Sequence, residues 1–258
     1  MTTTVSQTAA SNPEIPGKSH EAWRLFLMSA AGLYLEMVLI RWLGTEVKIF
    51  AFFQNLTLIV CFLGFGVGCF TSNRRGSLWP SLAAVSGLVV LITLPFPNWH
   101  SLLAVMSSLL SYTPDAALWG EALTLQGSGY FALFVICMVL ITVFLFLLCV
   151  AMIPIGRWVG YYLEASRNTV GAYSINLLGS LAGIWLLAIL AFLWLSPSWW
   201  FTAAFLLVVL AQPFSWRSVV VAAALLTATL FGLNHFGNLQ AYWSPYQKLT
   251  VEDLGENQ

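Results

Sequence analysis

One carboxylate lies in the middle of an apolar run where few ionisable groups are tolerated. Glu36 sits in LYLEMVLI, and an ionised carboxylate at bilayer depth costs about 3 kcal/mol even on lenient insertion scales. It must therefore face protein or water. Two roles suit it. It can bind a cationic substrate such as a polyamine or relay a proton, or it can pair with Arg41, Lys48 or an interhelical amide and fix the packing. Arg41 follows five residues later and does not stack on Glu36 in an ideal helix, although its long side chain can snorkel back.

Other polar residues in apolar runs share faces with small ones. Ser29, Gly32 and Glu36 fall at i, i+3 and i+7, one face of a helix. Gln54, Thr57, Cys61, Gly64 and Gly68 share a second face, and Ala172, Asn176, Gly179, Ser180 and Gly183 a third. Small residues let helix backbones approach, and amides then find partners across the interface. These patterns nominate Glu36, Arg41, Gln54 and Asn176 as a ligand-binding set, and Gly64, Gly68, Gly179 and Gly183 as packing positions. They predict that the first, second and fifth spans form the packed centre.

The remaining chemistry-bearing residues carry weaker signals. GFGVG at Gly64–Gly68 contains GxG but ends an apolar helix instead of following a strand, so packing explains it better than a nucleotide site. GSLAG at Gly179–Gly183 is a GxxxG spacing, suited to contact inside the bundle or between protomers. Cys61, Cys69, Cys137 and Cys149 have no CxxC spacing and lie in apolar runs; His20, His100 and His235 are scattered. Neither a metal site nor a disulfide is expected. Glu46 and Lys48 read as a solvated turn. Tryptophans such as Trp42, Trp79, Trp99, Trp119, Trp158, Trp199, Trp200 and Trp243 fall near span ends, as an interfacial belt requires.

The elements that position these residues follow from composition. The 258 residues are 59% hydrophobic and 8% charged, with a formal net charge of zero. Soluble domains carry about 25% charged residues, so the fold class is an all-α integral membrane protein, and nothing points to nucleic acid. Runs of about 20 apolar residues cross a bilayer. Seven candidates lie near 22–43, 48–71, 79–97, 129–153, 171–195, 198–213 and 217–235. The sixth is short enough to be little tilted or re-entrant. Residues 98–128 contain an apolar run, Leu102–Leu110, too short to cross. Gly156–Thr169 mixes aromatic and basic residues and is expected to form a separate interfacial helix. Residues 1–21 read as a polar tail, 22–238 as the transmembrane domain and 239–258 as a C-terminal stub. No internal repeat suggests an inverted-repeat transporter.

With the N-terminus inside, the cytoplasmic side collects Lys18, Arg24, Arg74, Arg75, Arg157, Arg167 and Arg217, and the other side Arg41, Lys48 and Lys248. That bias favours a cytoplasmic N-terminus. Seven spans would then put the C-terminus outside.

Trp243–Val251 reads WSPYQKLTV. It resembles the opening strand of the polyamine aminopropyltransferases, the spermidine synthase family. Leu33–Phe70, with an acidic residue in the first span, Arg41 after it and a glycine-rich end to the second, is similar to the opening hairpin of membrane-attached members. The resemblance implies a bacterial inner membrane protein whose enzyme half transfers an aminopropyl group from decarboxylated S-adenosylmethionine to an amine. It places Gln247 at the active-site entrance, supported by Tyr246. It also implies that the nucleotide loop and catalytic aspartate lie beyond Gln258, so no complete catalytic site and no cofactor is expected in these residues. Cytosolic substrates conflict with an external C-terminus, and the sequence leaves that conflict open.

Three functions therefore compete. The first is a membrane domain that anchors a spermidine-synthase-like enzyme and handles polyamine or a related small molecule. The second is a stand-alone transporter using Glu36, Arg41 and Asn176 around a midplane site. The third is an accessory subunit that meets other subunits, or a second copy of itself, through GxxxG and tryptophan-rich faces in the bilayer.

Overall fold

The computed structural model describes residues 18–72, 76–96, 99–108, 128–212, 215–235, 241–244 and 248–250. The helices among them are α1 (Lys18–Glu46), α2 (Lys48–Phe52), α3 (Gln54–Phe70), α4 (Trp79–Ile92), α5 (Trp99–Ser108), α6 (Ser128–Ala165), α7 (Thr169–Phe192), α8 (Pro197–Ala211) and α9 (Trp216–His235). Two short strands follow, β1 (Ala241–Trp243) and β2 (Lys248–Thr250), paired antiparallel with Trp243 opposite Lys248.

Local sequence explains most of the boundaries. Asn168 caps α7 by accepting from the Gly171 amide at 3.1 Å. Proline opens α4 and α8 in the first turn, where its missing N–H is harmless. Helix α4 ends at Ile92 ahead of Pro95, because the residue before a proline avoids helical angles. Helix α7 closes with a reversed turn in which Leu195 N–H reaches the Leu190 carbonyl and Trp194 N–H the Ala191 carbonyl. Trp194 takes the left-handed conformation there (φ 58°), a place usually held by glycine.

Four helices, α1, α6, α7 and α9, are long and apolar enough to cross a bilayer. The seven expected spans therefore need correction. Helices α3, α4 and α8 are apolar but have only 17, 14 and 15 residues, reaching about 26, 21 and 23 Å at 1.5 Å per residue. Helix α3 is short because the backbone leaves the helix at Phe53 (φ −110°, ψ 45°), which splits the expected second span into α2 and α3. The short apolar segment after Pro97 is the ten-residue α5, which packs on α2. The separate interfacial helix also requires correction. Residues 156–165 continue α6, which runs for 38 residues through Pro154. Continuity is held by packing, since Gly156 backs onto the Phe65 carbonyl and Gly160 onto Cys69 of α3.

Helix α1 is the axis of the bundle. Of its apolar window 67% is buried, against 17–22% for α6, α7 and α9, and α7, α8 and α6 all pack against it. Helix α3 meets α6 far more than α1, so the expected centre of three spans is replaced by two tight pairs. In the first, Gly179 and Gly183 of α7 lie on the Phe26 and Ala30 carbonyls of α1. In the second, Gly64 and Gly68 of α3 lie on the Cys149 and Ile153 carbonyls of α6. Both pairs are parallel. Helices α4 and α9 run parallel too, with Ser86 donating to the Leu225 carbonyl and Gly232 resting on Thr93. The start of α1 and the strand pair consequently lie at opposite ends of the bundle.

Candidate functional site

The densest polar cluster that joins distant parts of the chain lies where α1 ends. Tyr34, Arg41, Trp42 and Glu46 descend α1 towards α8 and the strands. Tyr34 Oη donates to the Trp200 carbonyl at 2.9 Å, and Trp42 meets the Phe201 ring edge-on at 5.2 Å. These contacts fix the first turn of α8, which presents the Trp200 ring to two partners. The Arg41 guanidinium lies 4.6 Å above it, within cation–π reach. Trp243 of β1 meets the same indole edge-on, with ring centroids 5.3 Å apart.

The strands are then fastened twice more to α1. Arg41 Nη2 donates to the Ser244 carbonyl at 2.8 Å. Lys248 of β2 pairs with Glu46 at 2.7 Å, with the two side chains 16% and 24% exposed, and its ammonium sits 5.3 Å from the Trp243 ring. Two three-residue strands are not stable alone. Here the hairpin draws its order from one arginine, one glutamate and one indole of the helical domain. Two buried indole N–H groups beside this clamp, those of Trp42 and Trp200, have no acceptor among the described residues.

Glu36 occupies a second and separate place. It is 3% exposed, and its Oε1 has no hydrogen-bond partner. Cys61 of α3 is near enough to interact with it electrostatically, and Cys149 of α6 is near Cys61 in the same sense.

The other predicted ligand residues are dispersed. Asn176 Oδ1 lies 2.7 Å from Ser29 Oγ, which also lies 2.8 Å from the Leu25 carbonyl; the one hydroxyl proton serves one of them at a time. The outer side of Asn176 joins Thr169, Val170, Tyr173, Ser174 and Leu177 along a surface groove of about 460 Å³. Gln54 is exposed at the start of α3, close to Gly44. Gln247 and Tyr246 lie outside the described residues. Arg41 turns to Ser244 and Trp200, so Glu36, Arg41, Gln54 and Asn176 do not converge on one another. The four nominated glycines all sit at backbone-to-backbone contacts, whereas Gly66, inside the same GFGVG run, faces open space.

Among the described residues no group of histidine, cysteine or acidic side chains is arranged to hold a metal, and the four cysteines are free. Sequence reasoning missed the clamp. Read alone, Glu46 suits a solvated turn, and Trp200 and Trp243 an interfacial belt. The available signal is the opposite charge of Glu46 and Lys248, but 202 residues separate them and no local spacing connects them.

Comparison with models of known families, with curated proteins and with solved structures finds no match to this chain. The fold and composition define its class directly. It is a multi-pass α-helical membrane domain that carries a short β-hairpin on one end.

Proposed function

We propose that this chain is the membrane domain of a spermidine-synthase-like protein, and that it anchors and orients an extramembrane segment that begins at Ala241. The observation that carries the reading is the clamp of Arg41 on Ser244, Glu46 on Lys248 and Trp200 on Trp243. A free tail needs no such fixing. A segment whose position relative to the bilayer matters does. The likeness of Trp243–Val251 to the opening strand of the aminopropyltransferases supports the identity of that segment, and the apolar helices support its attachment to a membrane.

Among the described residues, Lys18, Arg24, Arg157, Arg167 and Arg217 fall on the side where α1 begins and Arg41, Lys48 and Lys248 on the other, which favours the α1 start as cytoplasmic. The hairpin then stands on the opposite side. An aminopropyltransferase acting on cytosolic substrates needs the reverse orientation, so orientation decides whether the segment serves an enzyme of that kind. Single-cysteine labelling at residues 21 and 252, in intact cells and in inverted vesicles, tests it. Labelling of 252 from the cytoplasmic side supports the enzyme reading, and labelling only from outside removes it.

The transporter reading has less to rest on. Two of its three midplane residues are engaged elsewhere, Arg41 with Ser244 and Asn176 with Ser29.

A further inference from the structure

The anchoring reading leaves Glu36 unused. Its carboxyl group lies where α1 meets α3 and α6, 97% of the residue being removed from solvent contact. One turn earlier, Gly32 lets Ile155 of α6 and Phe65 of α3 close over the junction, 3.2 and 3.4 Å from where a Cβ would stand. Oε1 receives no hydrogen bond, and among the described residues no cation pairs with the group. A titratable neighbour is the Cys61 thiol on α3, with Cys149 of α6 in turn near Cys61. On α1 itself, Tyr34 is committed to the Trp200 carbonyl and Arg41 to the Ser244 carbonyl. Helix α7 contributes only Tyr173, exposed near its start, and α8 has no titratable side chain. Lys48 of α2 is exposed. The ionisable side chains at the end of α6 lie with Thr71 and Ser72 at the other end of the bundle.

The choice of ligand follows from what surrounds the carboxyl. A metal cation or an ammonium group needs several oxygen atoms converging on it, and no cluster of that kind is present among the described residues. A proton needs one oxygen. A negative Oε1 without a donor or counter-charge is poorly tolerated in such surroundings, whereas the neutral acid fits them.

We propose that Glu36 is a proton-binding site of the membrane domain, carrying its proton in the closed packing and releasing it only when the junction of α1, α3 and α6 opens to water. Opening cannot be a side-chain adjustment alone. Beside the junction, α3 and α6 touch backbone to backbone at Gly64 against Cys149, Gly68 against Ile153 and Gly156 against Phe65, so water enters only if helices part. Proton release is thereby tied to helix separation, and the buried Cys61 becomes reactive in the same step. This inference stands independently of the anchoring role.

Infrared spectroscopy of the intact protein in phosphatidylcholine vesicles tests it, with ¹³C-labelled glutamate to mark the band. The expected result is a protonated carboxyl stretch at neutral pH that shifts in D2O, is missing in Glu36→Gln and is displaced in Glu36→Asp. Raising the pH should remove the band reversibly and make Cys61 react with a membrane-permeant maleimide at least tenfold faster than Cys61 of Glu36→Gln at the same pH. A carboxylate band at neutral pH would overturn the proposal. So would a protonated band that neither exchanges with D2O nor titrates before the protein unfolds. If Glu36→Gln fails to fold, the displaced band of Glu36→Asp carries the assignment.

Discussion

Gly64→Ala and Gly66→Ala are the same chemical change two residues apart in one helix, and the structure assigns them opposite outcomes. At Gly64 the added methyl would land on the Cys149 carbonyl, with the Cys149 Cα only 3.0 Å away. Both obstacles are backbone, so α3 and α6 must separate, and neighbouring contacts at Gly68 and Gly156 loosen with them. Forcing one methyl into a packed interior costs about 1–3 kcal/mol. At Gly66 nothing lies within 4 Å, and alanine gains up to about 1 kcal/mol of helix propensity. The two variants should therefore differ by about 1–4 kcal/mol. At roughly 2–4 °C per kcal/mol for a domain of this size, that is a Tm gap of about 2–16 °C. The protein supplies its own probe, because Cys61 and Cys137 are free and buried and react with a fluorogenic maleimide only as the fold opens. Equal melting of the two variants, or a less stable Gly66→Ala, would refute the packing of α3 on α6.

Further outcomes follow from single contacts. Reversing Glu46 to Lys should loosen the hairpin, and adding Lys248→Glu should restore it, with a coupling of about 0.5–3 kcal/mol in a double-mutant cycle; additive effects would mean that the pair contributes nothing. Asn168→Ala removes the cap of α7 and should lower stability by about 1 kcal/mol in denaturant titration, while Asn168→Asp keeps it. Glu36→Gln, isosteric with the neutral acid, should melt within about 1 kcal/mol of the unaltered protein, the scale of one neutral hydrogen bond, whereas Glu36→Lys should not yield folded protein, as size-exclusion profiles in detergent will show.

What was legible in the sequence depended on whether a feature is local. Apolar runs without charge announce α6 and α7, and of the shared faces Thr57, Cys61, Gly64, Gly68, Ala172, Gly179 and Gly183 are buried, whereas Asn176 and Ser180 are half-buried and Gln54 is exposed. The pattern says that such a face is packed but not against what, which is why the spacing leads to α1 as the partner of α3 while the structure gives α3 its main contact on α6 and a smaller one on α1. Phe53 leaves the helix without a glycine or proline to signal it. Pro154 is a breaker by type, yet α6 passes through it because Gly156 and Gly160 let α3 support the next turns. Of the polar candidates, Asn176 has an interhelical partner in Ser29, and Glu36 has the burial but no partner. The clamp was illegible because Arg41 and Glu46 stand 203 and 202 residues from their partners and each member suits a blander role alone.

Amide hydrogen exchange across residues 241–250, read by mass spectrometry on the lipid-embedded protein, tests the docked hairpin most directly. The account predicts slow exchange at the paired positions of the hairpin in the unaltered protein, and rates at least tenfold faster in Arg41→Ala and in Glu46→Gln. Fast exchange throughout the segment in the unaltered protein, indifferent to both substitutions, would mean that the segment is an undocked tail and that α1 holds nothing in place.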